Sequence, residues 1–268
     1  MTDAGYAPKQ RLAFGRVAEI YDRARPSYPP ESVEAVIAFG NLRPPAPILE
    51  VGAGTGKATV LFARRGHPIL ALEPSAAMAA VARVNCAAFP AVEVVETEFE
   101  GWTPATPYAA VISAAAWHWI DADVRYRRAH AALAPGGTLA ALWTFPDWDR
   151  CDLRDPLRDA YRTAAPDLTT EFPMHPASRP TRLAGDWHAE VDAAGRFADA
   201  TVQTFPWSLR YSAAAYTELL QTHQDHILLA EEPRAALLGA VTAVIDAAAA
   251  GGTLTLPVIT HVCLARRA

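Results

Sequence analysis

The sequence predicts an α/β fold, a doubly wound and mostly parallel sheet in a single domain spanning 1–268, on three observations. Short apolar runs alternate with amphipathic helical stretches between residues 48 and 143, a rhythm that implies parallel strands joined by right-handed crossovers. The join after Ile48–Val51 carries three alternate glycines, Gly52, Gly54 and Gly56. Two more strand-like runs follow, with the helical stretch 211–250 between them, bringing the sheet to seven strands.

In order, the segment FGRVAEIYDRARPSYPPESVEAVIAF has a helical pattern before Arg25, a break set by Pro26 and Pro29, and a helix over about 30–39. Ile48–Val51 is too short for a helix and reads as a buried strand. The glycines after it permit positive φ and remove the Cβ atoms that would hold a ligand off the backbone. Ala53 and Thr55 sit between them, and the free N–H groups of the next helix face whatever lies above the turn.

Residues 68–72 form a second strand closed by Glu73, and Pro74 and Ser75 open a helix over 75–84, with Ser75 as N-cap and Met78 in its first turn. A third strand, 91–95, leads to Glu96, Thr97, Glu98 and Phe99. Tyr108–Ala114 is the fourth, and Ala115, Ala116, Trp117, His118 and Trp119 leave it at the end where open α/β sheets bind ligands. Asp121 caps a helix that ends near Leu133, before Pro135, Gly136 and Gly137, and 138–143 is a fifth strand. TFPDWDR and the proline-rich run to Pro180 read as loops and short helices, followed by a helix over 181–194. A strand over 200–209, helices over 211–229 and 232–249, and a strand over 254–266 complete the chain.

With 51% hydrophobic residues in 268, the length permits one large domain with an insertion. A net charge of −5 without a long Lys/Arg block disfavours nucleic acid as a partner. The apolar stretch 109–120 is too short to span a bilayer, and the N-terminus lacks a basic start followed by an apolar core. The expectation is a cytoplasmic protein without a membrane partner, its oligomeric state open. Cys86, Cys151 and Cys263 are odd in number and lack CxxC spacing, so they read as reduced, structural thiols.

The glycine spacing separates the ligand classes. A P-loop needs Ser or Thr after Gly-Lys, but Ala58 follows Gly56 and Lys57, and Val51 holds the first glycine position. The dinucleotide fingerprint wants Gly or Ala at 57. The pattern present is acidic-x-GxGxG from Glu50. ILEVGAGTGKAT and ALEPSAAM resemble the first two motifs of the class I S-adenosylmethionine-dependent methyltransferases.

That resemblance implies S-adenosyl-L-methionine as cofactor, with Glu50 near its methionine part and Glu73 on the ribose hydroxyls. Glu98 would take the adenine amino group and Phe99 pack on the ring. Gly52, Ala53, Gly54, Thr55, Gly56, Pro74, Met78, Ala114 and Ala115 complete the expected cofactor set. YDRARPSYP resembles the N-terminal signature of a subgroup that includes trans-aconitate and cantharidin methyltransferases. It implies lid helices over 8–40, with Tyr21 as cover and Arg25 as partner of the methionine carboxylate. The cofactor core would then be 41–143 and the helical substrate-covering segments 144–199 and 211–250. The family's sheet ends in an antiparallel hairpin, so the helical pair before the last strand reads as an inserted roof.

Methyl transfer is an in-line displacement that needs the nucleophile about 3 Å from the methyl carbon in a water-excluding site. A hydroxyl nucleophile needs a base, whereas a carboxylate is already ionised at neutral pH. His118 is the base candidate, its alternative being a satisfied histidine between Trp117 and Trp119. Trp117, His118, Trp143, Trp148, Tyr211 and His223 are the expected substrate contacts, with Trp207 in the same aromatic enclosure. His223 and His226 lie three apart beside Asp225, but without HExxH spacing or a third partner no metal is expected. The expected activity is O-methylation of a carboxylate or hydroxyl on a small molecule. Alternatives are a nitrogen, carbon or peptide nucleophile, a catalytically silent cofactor-binding protein, and a nicotinamide enzyme.

Overall fold

The computed structural model describes residues 18–170, 172–178, 187–248 and 251–268. Helix α1 (Ala18–Ala24) and α2 (Pro30–Gly40) precede β1 (Ile48–Val51), α3 (Lys57–Ala63), β2 (Ile69–Leu72), α4 (Ala76–Asn85), β3 (Val92–Val95) and β4 (Tyr108–Ala114). A 3-10 turn (Trp117–Trp119) leads to α5 (Ala122–Ala132), β5 (Leu133–Pro146), α6 (Arg154–Ala164) and α7 (Trp187–Ala194). The chain ends with β6 (Phe197–Ser212), α8 (Ala213–Leu220), α9 (Gln224–Ile227), α10 (Glu231–Asp246) and β7 (Thr253–Arg267).

The seven strands form one sheet in the order β3-β2-β1-β4-β5-β7-β6. The first five run parallel, and β7 pairs antiparallel with both β5 and β6. Strand order reverses between β1 and β4, which opens a crevice above their carboxyl ends. All four residues of β1 are buried. Their alternate sides feed two layers: Leu49 and Val51 pack with Trp117, Tyr126 and Trp187, and Ile48 packs with Phe62, Val33 and Val36.

A third cluster, around Tyr161, Tyr216, Leu237 and Leu256, fills the space between α6, α8, α10 and the long hairpin. No described helix is long and apolar enough to cross a membrane.

Two expected boundaries move. The fifth strand starts at Leu133 and runs on to Pro146, because β7 keeps pairing as far as Pro146 with Val258. The helix over 211–229 is replaced by three pieces. Tyr211 belongs to β6 and pairs with Leu254, and Ser212 caps α8 by accepting from Ala215 N at 3.2 Å. Thr222 Oγ1 then bonds back to Leu219 O at 2.6 Å, and α9 begins anew at Gln224. Helix α6, eleven residues long, replaces part of the expected loop. Residues 8–17 of the expected lid and 181–186 of the expected helix lie outside the described residues.

Candidate active site

A cavity of about 770 Å³ opens above the carboxyl ends of the parallel strands, between α1, the 3-10 turn and α8–α9. Its floor is the turn after β1. Gly52 and Gly54 take φ of 70° and 58°, values that favour glycine. A Cβ on Gly52 would lie 2.4 Å from Ala116 Cβ, whereas one on Gly54 would meet no atom within 4 Å and would take up ligand space. Ala53 and Thr55 also line the cavity. Gly56 does not: its Cα faces α4, with a Cβ there 3.2 Å from Cys86 Sγ, so it serves helix packing instead.

Two carboxylates flank this floor. Glu73, 7% exposed, accepts Gly54 N–H on Oε2 at 2.8 Å and Ser75 N–H on Oε1 at 2.9 Å. Burial raises its pKa, against the lowering by those two N–H groups. Each oxygen keeps a lone pair for a further donor. Glu50 is fully buried; Oε2 accepts Thr59 Oγ1–H at 2.6 Å, and Oε1 has no partner. Burial pushes its pKa up to about 8. A ligand with vicinal hydroxyls at one end and a cation at the other would meet an acceptor at both.

Pro74, Met78, Glu98, Phe99, Ala114 and Ala115 line the same cavity. Met78 and Phe99 are each 3% exposed, so they present one edge to it from the core. Tyr21 and Arg25 close it from above. The Arg25 guanidinium stacks 4.9 Å from the Tyr21 ring and donates from Nε to Thr222 Oγ1 at 2.8 Å and from Nη2 to Thr222 O at 2.9 Å. One edge of the fork is thus committed to the roof, which narrows its expected role as a carboxylate partner.

His118 lines the cavity at the exit of β4, and Trp143, beside it on β5, donates Nε1–H to His118 Nδ1 at 3.1 Å. Burial, with the nearby Arg125 charge, lowers its pKa to about 4. A neutral ring whose Nδ1 accepts carries its proton on Nε2. In that state Nε2 carries an N–H donor.

Trp117 and Trp148 correct the substrate list. Trp117 is 1% exposed and packs edge-on against Tyr126, with ring centroids 5.5 Å apart, on the core side of the turn. Trp148 donates to Pro173 O at 2.9 Å and supports the cavity wall from behind. Trp207 donates to Thr260 Oγ1 and also stays outside the lining.

Tyr211 and His223 do line the cavity. His226 does not: it is fully buried between Asp225 Oδ1 and Tyr161 Oη, each at 2.8 Å. Among the described residues no three His, Cys, Asp or Glu side chains could hold a metal. Cys86, Cys151 and Cys263 are free and buried. Sequence reasoning missed Tyr28, Phe145, Gln224, Leu256 and Val258 as lining residues. The last two were within reach, because the alternation Leu254, Leu256, Val258 marks one buried face of a strand.

Residues 48–137 match a family model described as a methyltransferase domain. An uncharacterized methyltransferase of Mycobacterium tuberculosis is 36% identical over 137 residues, 51% of this chain and 54% of that protein. The chain spans about half the length of the curated relatives it matches. A structure from Anaeromyxobacter dehalogenans, provisionally assigned as a type II methyltransferase, superposes with a TM-score of 0.60 at 21% identity, covering 91% of this chain and 97% of that one. A methyltransferase from Geobacter sulfurreducens in complex with S-adenosyl-L-homocysteine gives 0.52 at 13% identity, covering 94% and 98%. At these identities the two structures speak to the fold.

Proposed function

We propose that this chain is a class I S-adenosylmethionine-dependent methyltransferase that methylates an oxygen of a small molecule held in its cavity, a carboxylate before a hydroxyl. Its own residues fit the cofactor. The unpartnered Glu50 Oε1 suits a cationic end, the open space at Gly54 admits close approach to the backbone, and the spare lone pairs of Glu73 suit ribose hydroxyls. When bound, the cofactor supplies an electrophilic methyl group on a sulfonium sulfur.

The chain supplies position and dryness. Trp143, Phe145, Leu256 and Val258 form an apolar wall that excludes water from the reacting atoms. The small-molecule reading rests on size: the cavity between α1 and the roof measures about 770 Å³, inside the range of about 300–1,000 Å³ typical of small-ligand sites.

The observation that carries oxygen over nitrogen is the hydrogen bond from Trp143 to His118. It leaves an N–H on Nε2, which we assign to orienting an acceptor. A carboxylate oxygen, ionised at neutral pH, can accept that bond and still present a lone pair to the methyl carbon, whereas a hydroxyl would also need a base for its proton, a role the donor His118 does not fill. A neutral amine has one lone pair, which the same bond would occupy.

Incubation with methyl-labelled cofactor and a panel of acids, alcohols, amines and peptides tests the reading. Label recovered as a methyl ester or ether is expected. Label on nitrogen would overturn the oxygen assignment, and tight S-adenosylhomocysteine binding without any labelled product would favour a silent binding protein.

A further inference from the structure

Between the β6–β7 hairpin and α9 the lining of the cavity turns polar and forms a recess. Tyr211, Gln224 and Asp225 line it at 8%, 7% and 6% exposure, with His223 beside them. Tyr211 Oη, His223 Nε2, Gln224 Nε2 and Asp225 Oδ2 are all buried and all lack a partner. A buried polar group left unsatisfied is costly, so the cluster marks a place that water or a ligand completes.

Asp225 is held in position. Its Oδ1 accepts from His226 Nδ1 at 2.8 Å, and Tyr161 Oη sits 2.8 Å from His226 Nε2. That chain fixes the carboxylate through Oδ1 and leaves Oδ2 without a partner.

The four atoms differ in what they demand. Asp225 Oδ2 only accepts, Gln224 Nε2 only donates, and Tyr211 Oη and His223 Nε2 can do either. An ammonium group would satisfy Asp225 and oppose the Gln224 N–H groups, in a recess where the Arg25 guanidinium already acts on His223 and Tyr211. A carboxylate would satisfy Gln224 and Tyr211 and be repelled by Asp225. A hydroxyl donates and accepts at once, and so reproduces the bonds of the water it displaces.

We propose that the recess formed by Tyr211, His223, Gln224 and Asp225 recognises a hydroxyl group of the substrate, remote from the methylated oxygen. The substrate class is a hydroxylated small molecule whose apolar body lies along Trp143, Phe145 and Val258. Its assignment to the substrate's far end rests on the methyltransferase reading; the hydroxyl preference is a property of the recess itself.

The test uses the full chain, with and without saturating S-adenosylhomocysteine, and four probes that share one ring: benzyl alcohol, benzylammonium, benzoate and toluene. Ligand-observed NMR gives their affinities. Benzyl alcohol should bind roughly tenfold tighter than the other three, the worth of one well-made buried hydrogen bond. Asp225→Asn and Gln224→Leu should each reduce that advantage to within roughly twofold, with toluene unmoved. Gln224→Leu leaves the chain from Asp225 to Tyr161 intact and covers the case in which Asp225→Asn fails to fold.

Preference for benzylammonium or benzoate, equal affinity for all four, no binding of any probe, or an alcohol preference that survives both substitutions would overturn the proposal. Calorimetric affinity for S-adenosylhomocysteine in the same samples reports separately on the cofactor site. Its loss would sink the methyltransferase reading and leave the alcohol preference standing or falling by its own measurement.

Discussion

Glu50 and Glu73 carry the same functional group in opposite circumstances. Glu73 is held by two backbone N–H groups, and removing its side chain removes both acceptors that the proposed function assigns to the ribose. Glu73→Ala should weaken S-adenosylhomocysteine binding by roughly 10- to 100-fold, from about two hydrogen bonds; unchanged affinity in a calorimetric titration would misplace the ribose. Glu50, at about 8, is mostly protonated at pH 7 in the folded chain. A cation brought beside it favours the ionised form, so cofactor binding at pH 7 should release a proton. Calorimetry in buffers of different ionisation enthalpy reads that release, and Glu50→Gln should abolish it. The folded pKa lies above the unfolded one, so between about 4.5 and 8 the folded state holds more protons and stability falls as pH rises. His118 runs the other way. Its folded value of about 4 lies below the ordinary 6.5, so its contribution to stability is complete above 6.5 and is lost as pH falls towards 4. A donor and a base also separate by substitution. His118→Asn keeps an N–H donor and should retain roughly tenfold more activity than His118→Ala, with no limb near pH 6.5 in the wild-type rate profile. Equal losses in both variants would restore the base.

The turn after β1 shows how far a sequence pattern reaches at the scale of an element. Three alternate glycines read as one ligand-binding device, and the structure divides them between three tasks: Gly52 against Ala116, Gly54 open to the cavity, Gly56 against Cys86. Substitution separates them. Gly52→Ala should cost stability, because a Cβ 2.4 Å from another has to move backbone. Gly54→Ala should cost mostly cofactor affinity, with the strain of its positive φ, about 1 kcal/mol, as its stability penalty. Thermal melts beside cofactor titrations check the pair, and equal effects at both positions would remove the distinction. The parallel half of the sheet was legible because each strand is a closed apolar run bounded by turn residues, so Ile48–Val51 and Tyr108–Ala114 appear with the expected bounds. The hairpin was less legible because its strands outrun their apolar stretch. Alternate residues of β6 face solvent, and only pairing with β7 keeps Tyr211 in a strand rather than in the helix that its neighbours favour. The tryptophans failed for a related reason. Residue type marks Trp117, Trp143 and Trp148 alike, but which face of the wall each presents depends on the turn that carries it. Pro156 inside the first turn and a narrow apolar face of Leu157 and Tyr161 likewise hid α6.

At the scale of the whole molecule, the roof is not a loop laid over the sheet. It has a core of its own, built from α6, α8 and α10 on the protruding end of the β6–β7 hairpin, and α1 crosses to it from the other end of the chain. Ala24 packs against that core, and Arg23 and Arg25 add polar contacts. Arg23 meets Glu218 at 3.0 Å with both side chains exposed, a pair worth little in water. Arg25 meets Thr222 twice, part-buried, with its guanidinium backed by Tyr21. We expect the second contact to set how firmly α1 covers the cavity. Arg25→Met keeps much of the side-chain stem and removes both bonds. Hydrogen exchange over residues 18–28 should then quicken, and cofactor affinity should fall by roughly 3- to 30-fold. Tm should change little, because the three cores of the sheet and roof do not depend on the contact. Thr222→Val removes one of the two acceptors and should fall between wild type and Arg25→Met on both measures, while Arg23→Ala should be close to wild type. A graded response of that kind requires α1 to act as a cover hinged on one residue of the roof. If exchange over 18–28 is the same in all four proteins, α1 is a fixed wall and not a cover.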